Sequence, residues 1–148
     1  MNDNLNHNNN NNLVQRILEF AKRIQKEIRP QKEFVAHKAL HLELVENGFK
    51  CTSEPILPIY YTTISGIKHS ISNMKPDLVL NHPKNGDIFI IELKCDARGF
   101  PNAACERQLE SYIFHMRRNG GESTNVLSGL AINFNPSANA EIEYFEKK

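Results

Sequence analysis

The sequence predicts one mixed α/β domain whose elements follow in the order ααβββαβ, with a further β-strand as an option at the end. Apolar residues recur at helical spacing in three segments, and short runs rich in apolar and β-branched residues lie between or after them. With 148 residues, of which 40% are hydrophobic and 24% charged, the chain has the size and composition of one folded domain. No segment repeats another, which argues against a repeat architecture.

The N-terminal part of the sequence changes character at residue 13. Residues 1–12 contain eight Asn, and we predict a disordered tail there, because this segment cannot bury enough apolar surface to offset the cost of ordering it. The single domain is then predicted to span residues 13–148. Its first helix runs from Leu13 to Arg29, where apolar side chains form one stripe, and Pro30 ends it.

A second helix is predicted after Gln31, and Asn47-Gly48 supplies its left-handed C-terminal stop. Residues 49–66 are rich in β-branched and aromatic residues, but two prolines interrupt them, which predicts a bent or edge strand. The remaining predicted elements are strands at 75–80 and 87–94 with a turn between them, a helix at about 103–118, a core strand at 126–134 and an edge strand at 141–146.

Composition also limits the class of protein. The formal net charge of +1 argues against binding to nucleic acid through overall charge, so a polyanionic partner must be bound through local contacts. Three cysteines without a CxxC pair argue against a disulfide framework and against a four-cysteine zinc site. The sequence has no apolar stretch of roughly 18 residues and no apolar core of a signal peptide at its start. We therefore expect an intracellular protein, in cytoplasm or nucleus, with no membrane partner.

Three charged residues stand at the ends of the two central predicted strands. If residues 81–86 connect these strands, Asp77 lies opposite Ile90, and the alternation of side chains puts Asp77, Glu92 and Lys94 on one side of the sheet. Both faces of the two strands are otherwise apolar, as expected for central strands that helices cover on each side. The three charged groups are therefore predicted to meet at one end of a buried sheet.

Two carboxylates that lie this close raise one another's pKa unless a cation sits between them. A hard divalent ion such as Mg²⁺ satisfies them, because it takes oxygen ligands and keeps several waters. An ammonium group two residues from one ligand points at the same pocket and can stabilise developing negative charge. Spacing alone leaves another interpretation open, in which Asp77 flanks a turn and Glu92 forms an ion pair with Lys94.

Pro76-Asp77, a hydrophobic strand and Glu92-Leu93-Lys94 together resemble the motif of the PD-(D/E)XK nuclease superfamily. Three further segments are similar to the GxxExxY branch of that superfamily: EFVAHKALHLEL from residue 33, QLESYI at 108–113 and GLAINF at 129–134. The similar elements span residues 33–134 in the same order. The chain has Pro30 and Ala36 where the branch has a Gly and a Tyr, so the substrate does not follow from the resemblance.

The resemblance implies a restriction-endonuclease-like core, in which helices flank a central four-stranded mixed sheet. It also implies hydrolysis of phosphodiester bonds with Mg²⁺ or Mn²⁺, with DNA as the favoured polymer by analogy. The implied metal ligands are Glu33, Asp77, Glu92 and the backbone carbonyl of Leu93. The implied catalytic residues are Asp77, Glu92, Lys94 and Gln108, where Gln108 lies near the phosphate or the metal-bound water.

Contacts to the substrate are expected from Gln108, from Tyr112 one turn later, and from Arg98 in the loop after the Glu92–Lys94 strand. Basic residues of the first helix could flank a DNA channel and bind phosphates in a salt-dependent way. A single chain with one site would need a second copy to cut both strands at one place, which makes a homodimer one expectation.

Glu33, His37 and His41 recur every four residues and so share one helical stripe. Two imidazoles four residues apart could bind zinc, but we favour the interpretation that both border the cleft beside Glu33 or are solvated. Two other classes of function remain open at this point. One is a non-catalytic nucleic-acid-binding or assembly module on the same fold, and the other is an interaction domain that zinc stabilises through the His pair.

Overall fold

The computed structural model describes residues 3–81, 86–99, 102–120 and 126–148, and of residues 3–11, 102, 120 and 126–127 it describes the backbone only. The described helices are α1 (Asp3–Ile28), α2 (Glu33–Glu46) and α3 (Asn102–Gly120). The described strands are β1 (Lys50–Ser53), β2 (Leu57–Thr62), β3 (Lys68–Met74), β4 (Leu78–Asn81), β5 (Ile88–Cys95), β6 (Val126–Phe134) and β7 (Glu143–Lys147). None of the helices in these ranges has the length and hydropathy that would let it cross a bilayer.

The described strands form a five-stranded mixed sheet and a separate two-stranded ribbon. The order in the large sheet is β1-β4-β5-β6-β7, and the ribbon pairs β2 with β3. Strands β5 and β6 are parallel, while the other neighbours are antiparallel. Because parallel neighbours need a long crossover, α3 lies between β5 and β6 in the chain. The predicted mixed α/β class is confirmed.

Two predictions about the strands are wrong. The central sheet has five strands instead of four, because both β1 and β7 join it at its edges. The segment 49–66 does not form one bent strand: it forms β1 and β2, which belong to different sheets, with Glu54 in a left-handed conformation (φ 48°) between them. Strand β3 was not predicted, because its residues before Met74 are all exposed and leave no apolar alternation to detect.

The predicted register between the central strands is shifted, yet the predicted faces are correct. Ile90 pairs with Val79 instead of Asp77. A shift of two residues leaves every side chain on the same face, because side chains in a strand alternate with period two. Asp77 therefore comes to lie beside Glu92. Most of the predicted connection falls on residues 82–85, which lie outside the described residues.

Helices cover both faces of the sheet. On one face α1 and α2 pack against β4, β5 and β6, and the largest fully buried side chains there include Ile17, Leu18, Leu40, Leu44, Phe89 and Phe134. On the other face α3 packs against β5 and β6 through a smaller cluster formed by Met74, Ile90, Cys105, Leu109, Tyr112, Ile113 and Ala131. Each fully buried aliphatic or aromatic side chain contributes about 1.5–3 kcal/mol relative to exposure. These two layers fix α2 and α3 on either side of β5.

Helix α1 begins at Asp3, whereas the apolar periodicity places its start at Leu13. Its buried side chains begin at Leu13, which is the point that the periodicity detects. The division into a tail at 1–12 and a domain at 13–148 stays a prediction. At the other end the helix stops before Pro30, as predicted. Helix α2 ends at Glu46, with Asn47 as its C-cap and Gly48 in the left-handed conformation (φ 86°).

Candidate active site

The carboxyl groups of Asp77 and Glu92 are held close together because each accepts a hydrogen bond from a backbone N–H of the other segment. Asp77 directly precedes β4, and Glu92 lies in β5. The N–H of Asp77 donates to Oε1 of Glu92 at 3.0 Å, and the N–H of Leu93 donates to Oδ2 of Asp77 at 2.7 Å. This reciprocal pair of bonds holds both carboxyl groups at the start of one strand and the middle of its neighbour. We call it the Asp77–Glu92 pair.

The Glu92 carboxyl is buried, with 2% of the residue exposed. Burial first, and the charge of Asp77 second, raise the pKa of Glu92 from about 4.5 to about 8, although the backbone N–H of Asp77 and the charge of Lys94 both act to lower it. Without a cation nearby, Glu92 therefore holds a proton at neutral pH. A bound divalent cation would supply the positive charge that lets both carboxyls ionise.

This raised pKa predicts how the stability of the protein depends on pH when divalent cations are absent. The unfolded chain releases the Glu92 proton near pH 4.5, whereas the folded protein keeps it until about pH 8. Stability should therefore fall across that interval, by up to about 1.4 kcal/mol per pH unit. Glu92→Gln keeps an acceptor for the N–H of Asp77 but cannot ionise. We expect its stability advantage over the wild type to grow from pH 5 to pH 8.

Urea unfolding in the presence of a chelator measures this difference, and Glu19→Gln, at an exposed position of α1, is the matched control. A difference between wild type and Glu92→Gln that stays constant over the whole pH range would contradict the raised pKa.

Lys94 lies on the same strand as Glu92 and is half-buried. Burial raises the pKa of the Cys105 thiol in α3, and the positive charge of Lys94 acts to lower it, as it does for Glu92, so the ammonium group lies near both. Within the described residues no carboxylate oxygen lies within 4.0 Å of the Lys94 ammonium. The group is thus close to the Asp77–Glu92 pair without an ion pair that would hold it there.

Helix α3 brings Gln108 and Tyr112 to the same region. Gln108 Nε2 donates to the Tyr112 hydroxyl at 2.8 Å, and that hydroxyl donates to the carbonyl of Lys75 at 3.4 Å. Burial first, and the charge of Glu92 second, raise the pKa of Tyr112 to about 12, so it stays a hydrogen-bond donor. The two side chains connect α3 to the segment that leads into Asp77.

On the other side, α2 and the start of β4 enclose a cavity of about 470 Å³. Glu33, at the first position of α2, is exposed and lines it. The polar residues of the wall are Glu33, His37, Lys38, His41, Ser53, Glu54 and Asp77, and Phe34 and Leu93 complete it. Of the two arrangements expected for the His pair, the structure shows the one in which His37 and His41 border a cleft beside Glu33. Asp77 faces this cavity and is also part of the Asp77–Glu92 pair.

The sequence model of the PD-(D/E)XK nuclease superfamily matches residues 11–145 of the chain. The protein belongs to the PD-(D/E)XK nuclease superfamily. The protein SSO0001, known from a crystal structure, has a similar fold, with a TM-score of 0.55 at 17% sequence identity. That match covers 78% of this chain but 50% of SSO0001, so this chain spans about half the length of that protein, and at this identity the likeness concerns the fold alone. None of the curated proteins matches the chain significantly in sequence.

In this nuclease-superfamily domain the motif residues Asp77, Glu92 and Lys94 lie together as the sequence predicts. Glu33 lies at the edge of the cavity that Asp77 lines, while Gln108 and Tyr112 approach from the opposite face of the sheet. The match concerns the superfamily, so the resemblance to the GxxExxY branch and the roles of the individual residues stay predictions.

Arg98 is the predicted site residue that the structure does not bring to this group. Its side chain is 91% exposed and bonds to the Asp96 carboxylate, with Nε and Nη2 each 3.3 Å from an oxygen. It does not line the cavity beside Asp77. The reason is local, because the N–H of Arg98 also donates to Asp96 at 2.9 Å and closes a tight turn. Its role in substrate binding stays a prediction.

Sequence reasoning missed Glu54 altogether and did not place His37 near a carboxylate other than Glu33. Ligand atoms of His37, Glu54 and Asp77 all lie within 4.8 Å of one another. The pairing of β1 with β4 brings them together, because Ser53 lies opposite Leu78 and Glu54 follows β1 directly. The available signal was an acidic residue immediately before Pro55 at the end of a strand, which means little until the neighbouring strand is known.

The donor groups fit a divalent cation. Asp77 and Glu92 supply carboxylate oxygens, and a bound cation would offset the burial and the charge of Asp77 that raise the pKa of Glu92. Nδ1 of His41, in the wall of the cavity, is buried and has no hydrogen-bond partner among the described residues.

Proposed function

We propose that this protein is a metal-dependent nuclease that hydrolyses phosphodiester bonds of DNA with Mg²⁺ or Mn²⁺ as cofactor. The observation that carries the proposal is the Asp77–Glu92 pair, in which two hydrogen-bonded carboxyls stand where the superfamily has its motif acids and one of them is buried with a raised pKa. A fold alone could support other functions, so the argument depends on this arrangement of groups.

Each residue of the proposed site has a role that follows from its chemistry. Asp77 and Glu92 would hold the cation, with help from the carbonyl of Leu93 and from Glu33. A divalent cation bound there would lower the pKa of water and neutralise charge on the phosphate. Lys94 would place its ammonium group where negative charge develops, in a half-buried position where that charge acts strongly. Gln108 would donate a hydrogen bond to the substrate.

The nucleic acid needs a local basic surface, because the net charge of the chain is only +1. Such a surface lies in a groove of about 900 Å³ between α1 and the segment after β6. Lys22 and Lys26 on one face of α1, and Arg29 directly after it, line this groove together with one carboxylate, that of Glu141. We infer that a phosphate backbone follows this groove.

Buried Gln25 fixes the wall of the groove, because its Oε1 accepts from the N–H of Asn135 at 3.0 Å and its Nε2 donates to the carbonyl of Asn135 at 2.6 Å. Arg29 lines this groove and Glu33 lines the cavity beside Asp77, and only the short link between α1 and α2 separates the two residues in the chain. We infer that a bound strand passes from the groove to the cavity. Contacts from Gln108, Tyr112 and Arg98 would complete the path of the strand.

A homodimer and an intracellular location are further parts of this proposal. A second copy of the chain would supply the second site needed to cut both strands of a duplex at one place. The three cysteines are free thiols, which suits a reducing compartment.

The proposal is tested by incubating the purified protein with plasmid, linear and branched DNA and with RNA, in Mg²⁺ or Mn²⁺. We expect the wild type to cut at least one DNA substrate and Glu92→Ala to cut it at least about 100-fold more slowly, because the buried carboxylate is lost from the proposed cation site. Glu19→Ala, on the exposed side of α1, is the control and should match the wild type. If wild type and Glu92→Ala leave every substrate equally intact, the protein is not this nuclease. Binding of DNA without cutting would then favour a non-catalytic binding module.

A further inference from the structure

The ribbon of β2 and β3 is packed at its base and exposed over the rest of its length. At the base, Leu57 and Ile59 lie against the cluster that α3 forms with the sheet, and Met74 is buried within that cluster. Residues 61–73 are all exposed apart from Thr63, which is half-buried. The outer part of the ribbon therefore has solvent on both of its faces.

The packed base and the exposed part meet at a β-bulge. The pairing shifts between Ile59 and Tyr60, so that Ile71 is an extra residue on β3. A bulge bends its strand and increases the right-handed twist of the pair. Helix α3 holds the ribbon just before this point, because Nδ2 of Asn119 donates to the carbonyl of Pro58 at 2.7 Å. The direction in which the outer ribbon leaves the domain is therefore set by α3 and by the bulge.

The tip of the ribbon is a tight turn with its own hydrogen bonds. The N–H of Gly66 donates to the carbonyl of Thr63, and the N–H of Thr63 donates to the carbonyl of Ile67, both at 2.9 Å. Gly66 supplies the left-handed conformation (φ 89°) that closes the turn. The hydroxyls of Thr63 and Ser65 also lie 2.9 Å apart. The turn thus presents the fully exposed side chain of Ile64 in a preformed shape, which lowers the entropic cost of binding a partner.

Exposed apolar side chains are concentrated on the ribbon. Of the eleven large hydrophobic residues that are exposed in the described part of the chain, five lie between residues 56 and 71. They are Ile56, Tyr61, Ile64, Ile67 and Ile71. Single exposed apolar residues are ordinary, whereas several on one element mark a contact surface. The ribbon is therefore a candidate for contact with a partner.

The charge of the ribbon indicates which partner it suits. Residues 55–76 contain no Asp or Glu, although the whole chain has 17. The same residues carry Lys68 and Lys75, together with His69 and seven side-chain hydroxyls. Cations and hydroxyls bind phosphate oxygens and base edges, and apolar groups contact thymine methyls. This composition is complementary to nucleic acid, whereas a second copy of the ribbon would bring like charges together.

Lys68 is held in place on the ribbon by an aromatic ring. Its Nζ lies 4.2 Å from the centre of the Tyr60 ring, a cation–π contact between side chains on one face of the ribbon. Lys68 also pairs with Thr62, which puts a hydroxyl on that face beside the ammonium group. Within the described residues no carboxylate oxygen lies within 4.0 Å of this ammonium group. Its charge is therefore available to a phosphate at a defined position.

We propose that the ribbon enters the major groove of duplex DNA, with Lys68 on the phosphate backbone and with Tyr61 and Ile64 on the base edges. The major groove, about 12 Å wide, admits a two-stranded β-ribbon, whereas the minor groove, about 6 Å wide, is too narrow for one. Only two residues separate the end of β3 from Asp77, so these contacts begin beside the proposed active site. The inference rests on the proposed function in that it takes DNA as the substrate, and it makes duplex DNA the favoured form.

The first test measures binding of a fluorescein-labelled duplex, and of a single strand of the same sequence, by fluorescence anisotropy with a chelator present so that no DNA is cut. Replacing both Tyr61 and Ile64 with Ser should weaken duplex binding at least about tenfold and single-strand binding less than about twofold, because a single strand has no groove. Both side chains are exposed, so the fold should be unaffected. Leu42→Ser, which removes an exposed apolar side chain from α2, is the matched control and should bind as the wild type does.

The salt dependence of duplex binding tests the contact of Lys68 with phosphate. Each phosphate contact contributes about −0.9 to the slope of log K against log salt concentration. Lys68→Ala should therefore make this slope shallower by about one. Lys50→Ala, which removes an exposed ammonium group from the edge strand β1, should leave it unchanged. An unchanged slope in Lys68→Ala would overturn this contact.

Photo-cross-linking tests whether the ribbon lies in the major groove. In duplex DNA with 5-iodouracil in place of thymine, the iodine takes the position of the thymine methyl group, which faces the major groove. Irradiation joins this base to nearby aromatic side chains. We expect the cross-linked peptide, identified by mass spectrometry, to contain Tyr61. Cross-links found only in other segments would overturn the placement of the ribbon in this groove.

The outcomes separate this inference from the proposed function. Duplex binding that the ribbon variants leave unchanged would overturn the inference but leave the proposed nuclease in place. Duplex binding that needs the ribbon, without cleavage in Mg²⁺ or Mn²⁺, would support the inference and count against the nuclease. Variants that turn a dimer into a monomer in light scattering, with unchanged DNA affinity, would show that the ribbon joins two copies of the chain instead. Absence of any DNA binding would count against both proposals.

Discussion

Replacing Lys94 with methionine should lower the rate of phosphodiester cleavage by about 10²–10³-fold, while the protein stays folded and still binds a divalent cation. The substitution keeps an unbranched side chain of similar length but removes the positive charge. Within the described residues this ammonium group has no carboxylate within 4.0 Å, so its charge is available to a phosphate at the proposed site. Single-turnover cleavage at saturating Mg²⁺ or Mn²⁺ measures the effect on the chemical step.

A matched variant separates this role from general loss of positive charge. Lys38→Met removes an ammonium group from the wall of the cavity on α2, where Lys38 is exposed, and should lower the rate less than threefold. Because Lys94 also lowers the pKa of Glu92, Lys94→Met should shift the pH at which metal binds upward. A Lys94→Met protein that cleaves as fast as the wild type would show that this lysine has no catalytic role, even if Glu92 proves essential.

Local signals in the sequence were enough to predict several elements. The stop of α2 at Asn47-Gly48 depends on a backbone conformation that Gly adopts readily, and the strand at 126–134 is a mostly apolar run. Such features need no knowledge of distant residues. The pairing of β1 with β4 and the ribbon of β2 and β3 were not predicted, because they depend on contacts between segments whose own residues are mostly exposed or interrupted by proline.

The same distinction explains which part of the site could be predicted. Asp77 and Glu92 belong to strands that follow one another in the chain, so the alternation of side chains was enough to place both on one side, even with a register that was wrong by two residues. Glu54 comes near Asp77 only because β1 is the neighbour of β4 in the sheet. No periodicity within residues 49–66 carries that information. Arg98 could not be placed either, because its turn with Asp96 depends on side-chain geometry.

The contact between α3 and the sheet depends on the absence of a side chain at Gly129 in β6. A Cβ atom at this position would lie 2.9 Å from Cδ2 of Leu109 and 3.4 Å from the carbonyl oxygen of Ile90. Leu109 is fully buried and directly follows Gln108 in α3. We therefore expect the close approach of Leu109 to β6 to position Gln108, its neighbour in α3.

Gly129→Ala should therefore destabilise the protein by about 1–3 kcal/mol through overpacking, and Leu109→Ala by about 2–5 kcal/mol through the cavity it leaves. The double variant should cost less than the sum of the two by about 1 kcal/mol or more, because truncating Leu109 makes room for the new methyl group. Urea unfolding of the four proteins measures this coupling. Leu40→Ala, which removes a buried side chain on the opposite face of the sheet, is the control and should combine with Gly129→Ala additively, to within about 0.5 kcal/mol. If the changes in unfolding free energy caused by Gly129→Ala and Leu109→Ala also add to within about 0.5 kcal/mol, Gly129 does not set the approach of α3. The position of Gln108 must then depend on other contacts of that helix.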